Sequence, residues 1–287
     1  MKRVTIVTDS AACVPGEEIE RYGIVVAPLN LVIQDRVFRD GIDMMASDVY
    51  DLQRKSKVLP STSAPSPGEL ARVYDKVSED TNSILHLSIS SKLSMAFESA
   101  IEASEFAKEK NPELEIRVVD TNTAAGAQCF LVLAAAKVAD SGGTLQQAVQ
   151  AVESLAPKLS LFVIVDTLYF LSKGGRVPKA SSWAGSLLSI KPIIELANGE
   201  AFPVERVRSK PKAIERMIQL MDKRVAGKQV HVNVMHAGIP EEAQNLKEQV
   251  LSRFDCIEVY VTEFSPVMGA HTGPGLLGLA FHGSDKS

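Results

Sequence analysis

Short apolar, β-branched runs alternate with amphipathic stretches through the first half of the chain. Val4 to Thr8, Ser83 to Ile89 and Glu115 to Val119 predict buried strands. Each runs into polar residues at its carboxyl end: Asp9-Ser10, Ser90-Ser91 and Asp120-Thr121. Between them the pattern predicts helices over Pro15 to Tyr22, Ser47 to Ser56, Leu93 to Lys108 and Thr123 to Ala139. Ile24 to Ile33 reads as extended. Ser66-Pro67-Gly68-Glu69 is a helix start with a serine cap, proline first and glutamate third, and Thr144 with Gln147 repeats that logic. Strand and helix alternating in this way predict a parallel sheet, whose ligands bind beyond the carboxyl ends of the strands.

Past about residue 156 the texture changes. Strands are predicted at Leu159 to Val165, Val230 to Met235 and Ile257 to Thr262, and helices at Leu168 to Ser172, Pro211 to Met221 and Pro240 to Leu251. Pro192 to Leu196 and Ala201 to Val207 flank Asn198-Gly199, a hairpin turn signal. The hairpin introduces antiparallel pairing. The expected fold is therefore α/β with two domains: residues 1–156 around a mainly parallel sheet and residues 157–287 around a mixed sheet.

Composition narrows the function. The 287 residues carry a net charge of −4, which argues against a general nucleic-acid binder. Three dispersed cysteines, with no CxxC, fit buried thiols in a reducing compartment better than disulfides or zinc. The five histidines have no ligand-pair spacing, so no metal site is expected. No signal peptide and no stretch long enough to span a membrane is visible, which suggests a cytoplasmic protein. GxSxG, Walker, HExxH and GxGxxG motifs are all missing.

Four clusters remain. In Pro60 to Glu69, Ser66 and Pro67 are accounted for by a helix cap, and Thr62 and Ser63 are left over. Ser90-Ser91-Lys92-Leu93-Ser94 holds more hydroxyls than one cap requires, at a junction where helix N–H groups favour an anion. Gly174-Gly175-Arg176 reads equally as a helix end with a turn and as a close backbone approach beside an exposed guanidinium. His271-Thr272-Gly273-Pro274-Gly275 reads as a tight loop before the last strand, holding a fixed histidine.

In this order the clusters resemble the DegV family along the whole chain. Thr8-Asp9-Ser10 looks like its opening TDS, Ser61 to Glu69 its TSQPSPGE, and Ser90 to Ser94 the start of its SSxLSGTY. Leu171 to Val177 resembles its LKKGGRI, and His271 to Gly275 matches its HTGPG. The chain departs from the family at Ala64, at Met95 and Ala96, and at Ala125.

The resemblance implies a fatty acid-binding carrier that holds its ligand between the two domains, the binding subunit of bacterial fatty acid kinase, with no catalytic residue and no cofactor of its own. Its partners would be one long-chain fatty acid and a separate kinase chain, with only transient membrane contact. Thr62, Ser94 and His271 would meet the carboxylate, with Ser63 and Ser91 as further candidates. Arg176 would stand near the mouth, either in the site or at the kinase-docking surface. Arg206 and Arg208 would dock the kinase. An apolar tunnel could draw on Phe130, Leu131, Leu133, Phe162, Ile164, Leu187, Leu188, Ile190 and Ile193, although simple core packing also explains most of them. The rival readings are a serine hydrolase built on Ser94, His271 and an acid such as Asp9, a kinase-like phosphate binder using Gly174-Gly175-Arg176, and a non-lipid binding module on the same scaffold.

Overall fold

A computed structural model describes residues 4–56, 59–177 and 190–284. The first half forms β1 (Thr5–Asp9), α1 (Gly16–Tyr22), β2 (Val25–Ala27), β3 (Asn30–Ile33), β4 (Arg36–Arg39), α2 (Ala46–Lys55), β5 (Ser61–Ser63), α3 (Pro67–Val77), β6 (Ser83–Ser88), α4 (Ala96–Lys110), β7 (Glu115–Asp120), α5 (Ala125–Asp140) and α6 (Leu145–Leu155). The second half forms β8 (Ser160–Ile164), α7 (Tyr169–Gly174), β9 (Lys191–Ala197), β10 (Glu200–Val207), α8 (Lys210–Val225), β11 (Gln229–His236), α9 (Pro240–Arg253), β12 (Cys256–Glu263), α10 (Pro266–Thr272) and β13 (Leu277–Ser284).

The fold is α/β, with the expected division of sheets. A parallel sheet runs β2-β1-β6-β7, and a mixed six-stranded sheet runs β10-β9-β8-β13-β11-β12. Only β11 and β12 are parallel neighbours in the second sheet. Asn198 and Gly199 both take positive φ and close the β9–β10 hairpin, as that dipeptide requires. The capping boxes at Ser66/Glu69 and Thr144/Gln147 both form.

A third sheet, β4-β3-β5, was not expected. Ile24 to Ile33, read as one extended run, is split by Pro28 and Leu29 between β2 and β3, which belong to different sheets. Ser61–Ser63, read as loop, is a strand paired with β3, Thr62 opposite Leu31. Helix α2 starts before Ser47, because the Asp48 carboxylate accepts the Met45 N–H. The loop expected at His271 begins later, because His271 and Thr272 form the last turn of α10.

Helix α5 is buried on nearly every side. It lies between the parallel sheet and the mixed sheet, touching β1 and β6 on one hand and β8, β11 and β13 on the other. An all-round apolar helix needs such a place. Its close approach depends on Gly126: a Cβ there would stand 2.9 Å from both Asn233 Cγ and Met235 Sδ. The three cysteines are free thiols. Among the described residues no helix is long and apolar enough to cross a membrane.

Candidate functional site

Asp9 organises the carboxyl edge of the parallel sheet. Its carboxylate accepts hydrogen bonds from the backbone N–H groups of Ala11 and Ile89, from Ser88 Oγ and from Gln128 Nε2. Burial pushes its pKa up to about 6 against the pull of these donors. Ser10 next to it donates to Asp40, whose other oxygen accepts the Val267 N–H. The opening Thr8-Asp9-Ser10 thus ties β1 to the β6–α4 loop and to the start of α10. Helix α10 is also pinned to α2, through Gln53 Nε2 to the Gly269 and Ala270 carbonyls and Tyr50 OH to the Phe264 carbonyl.

The elements so fixed enclose a cavity of about 450 Å³. Its walls come from the β6–α4 loop, the start of α5, strands β5, β8, β9 and β10, and helices α7 and α10. Most of the lining is aliphatic: Ile89, Leu161, Val163, Ile194 and Leu196 are typical. Thr62, Ser63, Ser94, His271 and Arg176, from four separate stretches of sequence, supply polar groups to the lining. The fold therefore brings together five of the six expected ligand-contacting residues.

Thr62 Oγ1 and His271 Nε2 share a hydrogen bond of 2.7 Å. Burial, aided by the positive charge of Arg176, pushes the His271 pKa down to about 4, so its imidazole is neutral at neutral pH. Gly174 makes room for the ring: a Cβ there would stand 2.6 Å from His271 Nδ1. Ser94 Oγ accepts the Ala96 N–H at 3.2 Å and lines the cavity. Arg176 is exposed, and it donates hydrogen bonds to the Leu93 and Gly174 carbonyls.

The serines of the β6–α4 loop have divided tasks. Ser90 Oγ donates to the Gly199 carbonyl, fastening the β9–β10 hairpin to the loop. Ser91, expected at the carboxylate, turns away: its Oγ donates to Asp120 at 2.6 Å. Only Ser94 of the three reaches the cavity. Arg206 and Arg208 are exposed on and just beyond β10 and do not line the cavity.

The expected tunnel residues are mostly on the wrong face. Phe162, Ile164 and Ile193 pack with α8 and α9 side chains in the core behind the mixed sheet. Leu131 and Leu133 pack in the core shared by α5, α6 and the parallel sheet. Phe130 belongs to the apolar cluster around the cavity without lining the cavity itself, and Ile190 lies outside the lining. Leu187 and Leu188 lie outside the described residues. The lining comes from the alternate positions Leu161, Val163, Ile194 and Leu196. Side chains alternate along a strand, so a one-residue shift changes the face. With both faces of β8 apolar, the sequence offers no signal to choose.

Of the departures from the family pattern, Ala64, Met95 and Ala125 line the cavity, with Met95 largely exposed at 64% and Ala125 buried at positive φ. Ala96 is buried beside it in the same apolar cluster. A hydrolase triad does not assemble. His271 Nε2 engages Thr62, and the Asp9 carboxylate is bonded to the β6 end and α5. Among the described residues no acidic, histidine and cysteine group could hold a metal ion.

An apolar cavity between two sheets, with a few polar groups in its wall, is the kind of site that small-molecule binding proteins use. The chain belongs to the DegV family: the family described as "Uncharacterised protein, DegV family" matches residues 3–283. A DegV domain-containing protein of Streptomyces coelicolor is 36% identical over 97% of this chain and 98% of its own length. The structure is also similar to a DegV family protein of Thermus thermophilus described as fatty acid binding. That match has a TM-score of 0.90 at 30% identity, over 98% of this chain and 100% of the other. The Bacillus subtilis DegV, described as a fatty acid binding protein, superposes with a TM-score of 0.88 at 29% identity, over 99% and 100% of the two chains.

Proposed function

We propose that this protein buries the tail of one long-chain fatty acid in the cavity and presents the carboxylate to a separate kinase, which converts it to an acyl phosphate. The observation that carries the reading is the lining itself: an aliphatic cavity with the Thr62–His271 pair and Ser94 gathered in its wall. The binding described for the Thermus and Bacillus relatives supports it.

The physics fits such a ligand. Burying about sixteen carbons gains on the order of 10 kcal/mol gross, at roughly 0.8 kcal/mol per methylene. A carboxylate taken out of water needs hydrogen-bond donors. Ser94 can donate, and with His271 Nε2–H donating to Thr62 Oγ1 the Thr62 hydroxyl can donate as well; Ser63 stands beside them, and Arg176 adds positive charge from the mouth. Neutral donors hold the head less firmly than a charged clamp, which suits a carboxylate that must react. Arg206 and Arg208 lie outward on the β10 side, where Ala201 reaches the cavity, and are the residues we assign to kinase docking. A cytoplasmic carrier touching the membrane only to exchange cargo completes the reading.

Mass spectrometry of the purified protein, native and then solvent-extracted, tests it. One fatty acid per chain is the expected result. No lipid in the protein and no uptake of added fatty acid would overturn it.

A further inference from the structure

A second cavity, of about 310 Å³, meets the first at Leu93, Arg176 and Ala201. Its remaining lining is Lys92, Gly175, Glu200 and Phe202. The carrier reading gives this annex no task, since the aliphatic cavity already has polar groups for a carboxylate. The two cavities differ in kind, because the annex brings together two cationic side chains and one carboxylate.

The β9–β10 hairpin builds this arrangement. Ser90 holds the Gly199 carbonyl, and a Cβ on Gly199 would stand 2.5 Å from Ser90 Oγ, so the hairpin tip lies directly on the loop. That contact brings Glu200 to Lys92 at 3.1 Å, and Lys92 Nζ also donates to the Asn198 carbonyl. Lys92 and Glu200 are both about half exposed, so their pair is weak and exchangeable. Arg176 faces the annex and the cavity at once.

We infer that the annex receives the phosphoryl group of the acyl phosphate, with Lys92 leaving Glu200 to pair with it beside Arg176. This rests on the carrier reading. In the transfer a carboxylate oxygen attacks the terminal phosphorus of a nucleoside triphosphate held by the kinase. The bond to the nucleoside diphosphate breaks and the diphosphate leaves. The lipid head thereby gains negative charge and three acceptor oxygens, which the neutral wall around Thr62 and Ser94 does not match. An arginine for planar contact and a lysine as a point charge are suited to hold it.

The test compares two lipids of equal chain length, a fatty acid and its stable β-ketophosphonate analogue, on the full chain. Lys92→Met is expected to weaken phosphonate binding about tenfold, the scale of a lost charge-assisted hydrogen bond, and to leave fatty-acid binding unchanged. Glu200→Gln is expected to strengthen phosphonate binding, since it frees Lys92 and removes a negative charge. If Lys92 only fastens the hairpin, both substitutions loosen the same contact and shift both lipids in the same direction, which overturns the inference. Fatty-acid binding without phosphonate binding in the unsubstituted protein would also overturn it. Failure to bind either lipid would instead sink the carrier reading beneath it.

Discussion

Thr62 and His271, 209 positions apart, share a 2.7 Å hydrogen bond in the cavity wall. Strand β5 supplies one partner and the last turn of α10 the other. The bond fixes which ring nitrogen faces the threonine, and with His271 Nε2–H donating to Thr62 Oγ1 it leaves the threonine hydroxyl as a preorganised donor. Thr62→Val keeps the shape and removes the hydroxyl. It is expected to lower fatty-acid affinity by about 1 to 2 kcal/mol, or roughly five- to thirtyfold. Calorimetric titration checks this. Thr62→Ala and Ser94→Ala that both leave binding and kinase turnover unchanged would remove the head-group assignment.

Gly174 is expected to be sensitive for a spatial reason. A methyl group there would press on the His271 imidazole. Gly174→Ala should therefore mimic loss of His271 in lipid titrations. Gly175→Ala, where a Cβ meets nothing within 4 Å but φ is +70°, should act through backbone strain on stability instead.

Ser91 and Ser94 should separate cleanly. Ser91→Ala removes the Oγ bond to Asp120 at the β7 end and is expected to cost stability while leaving lipid affinity near the unsubstituted value. Ser94→Ala should lower lipid affinity, beyond the modest stability it loses with the bond from the Ala96 N–H. Melting curves beside binding curves distinguish the two.

Acid should destabilise the fold through its buried histidines. Burial pushes His86, His271 and His282 down to about 4, and His236 also downward. An unfolded histidine titrates near 6.5, so their stability contribution is present above that pH and is lost as pH falls toward 4. Asp9, raised to about 6, and Asp40, also raised, oppose this: their contribution is present at low pH and is lost as pH rises. Four histidines against two carboxylates give a net loss between about pH 6.5 and 4. Melting temperature measured across that window should fall, and Asp9→Asn should make the fall steeper.

Chain length should respond to the lining. Val163→Phe places a ring where the cavity now is. It is expected to weaken binding of a fatty acid of about sixteen carbons more than one of about ten, since each excluded methylene forfeits roughly 0.8 kcal/mol. Equal loss for both acids would mean that Val163 lies off the tail's path.

The hairpin and several helix starts were readable because local chemistry determines them: Asn198-Gly199 has few other uses, and Ser66 with Glu69 announces a helix. The site was readable in part. Thr62, Ser94 and His271 stood out as polar residues that no cap or turn required. Ser91 stood as a further candidate beside Ser94, and its bond to Asp120, which turns it away, could not be read locally. Ser61–Ser63 hid as a strand because its three hydroxyls lack the apolar alternation that marks one. The face of β8 that lines the cavity was hidden for the opposite reason. Phe162 and Val163 are both apolar and both buried, and tertiary packing alone decides between them.

The cavity shares its wall with one continuous apolar cluster, to which Leu29, Ala125, Val163, Ile194 and Val267 all belong. Under the carrier reading the cargo is then part of the protein's own interior, and a delipidated chain is a molecule with its middle removed. Such a chain opens more often and meets cellular proteases more often. The amount of this protein in a cell would accordingly follow the supply of its lipid, making abundance a nutritional gauge without any dedicated sensor.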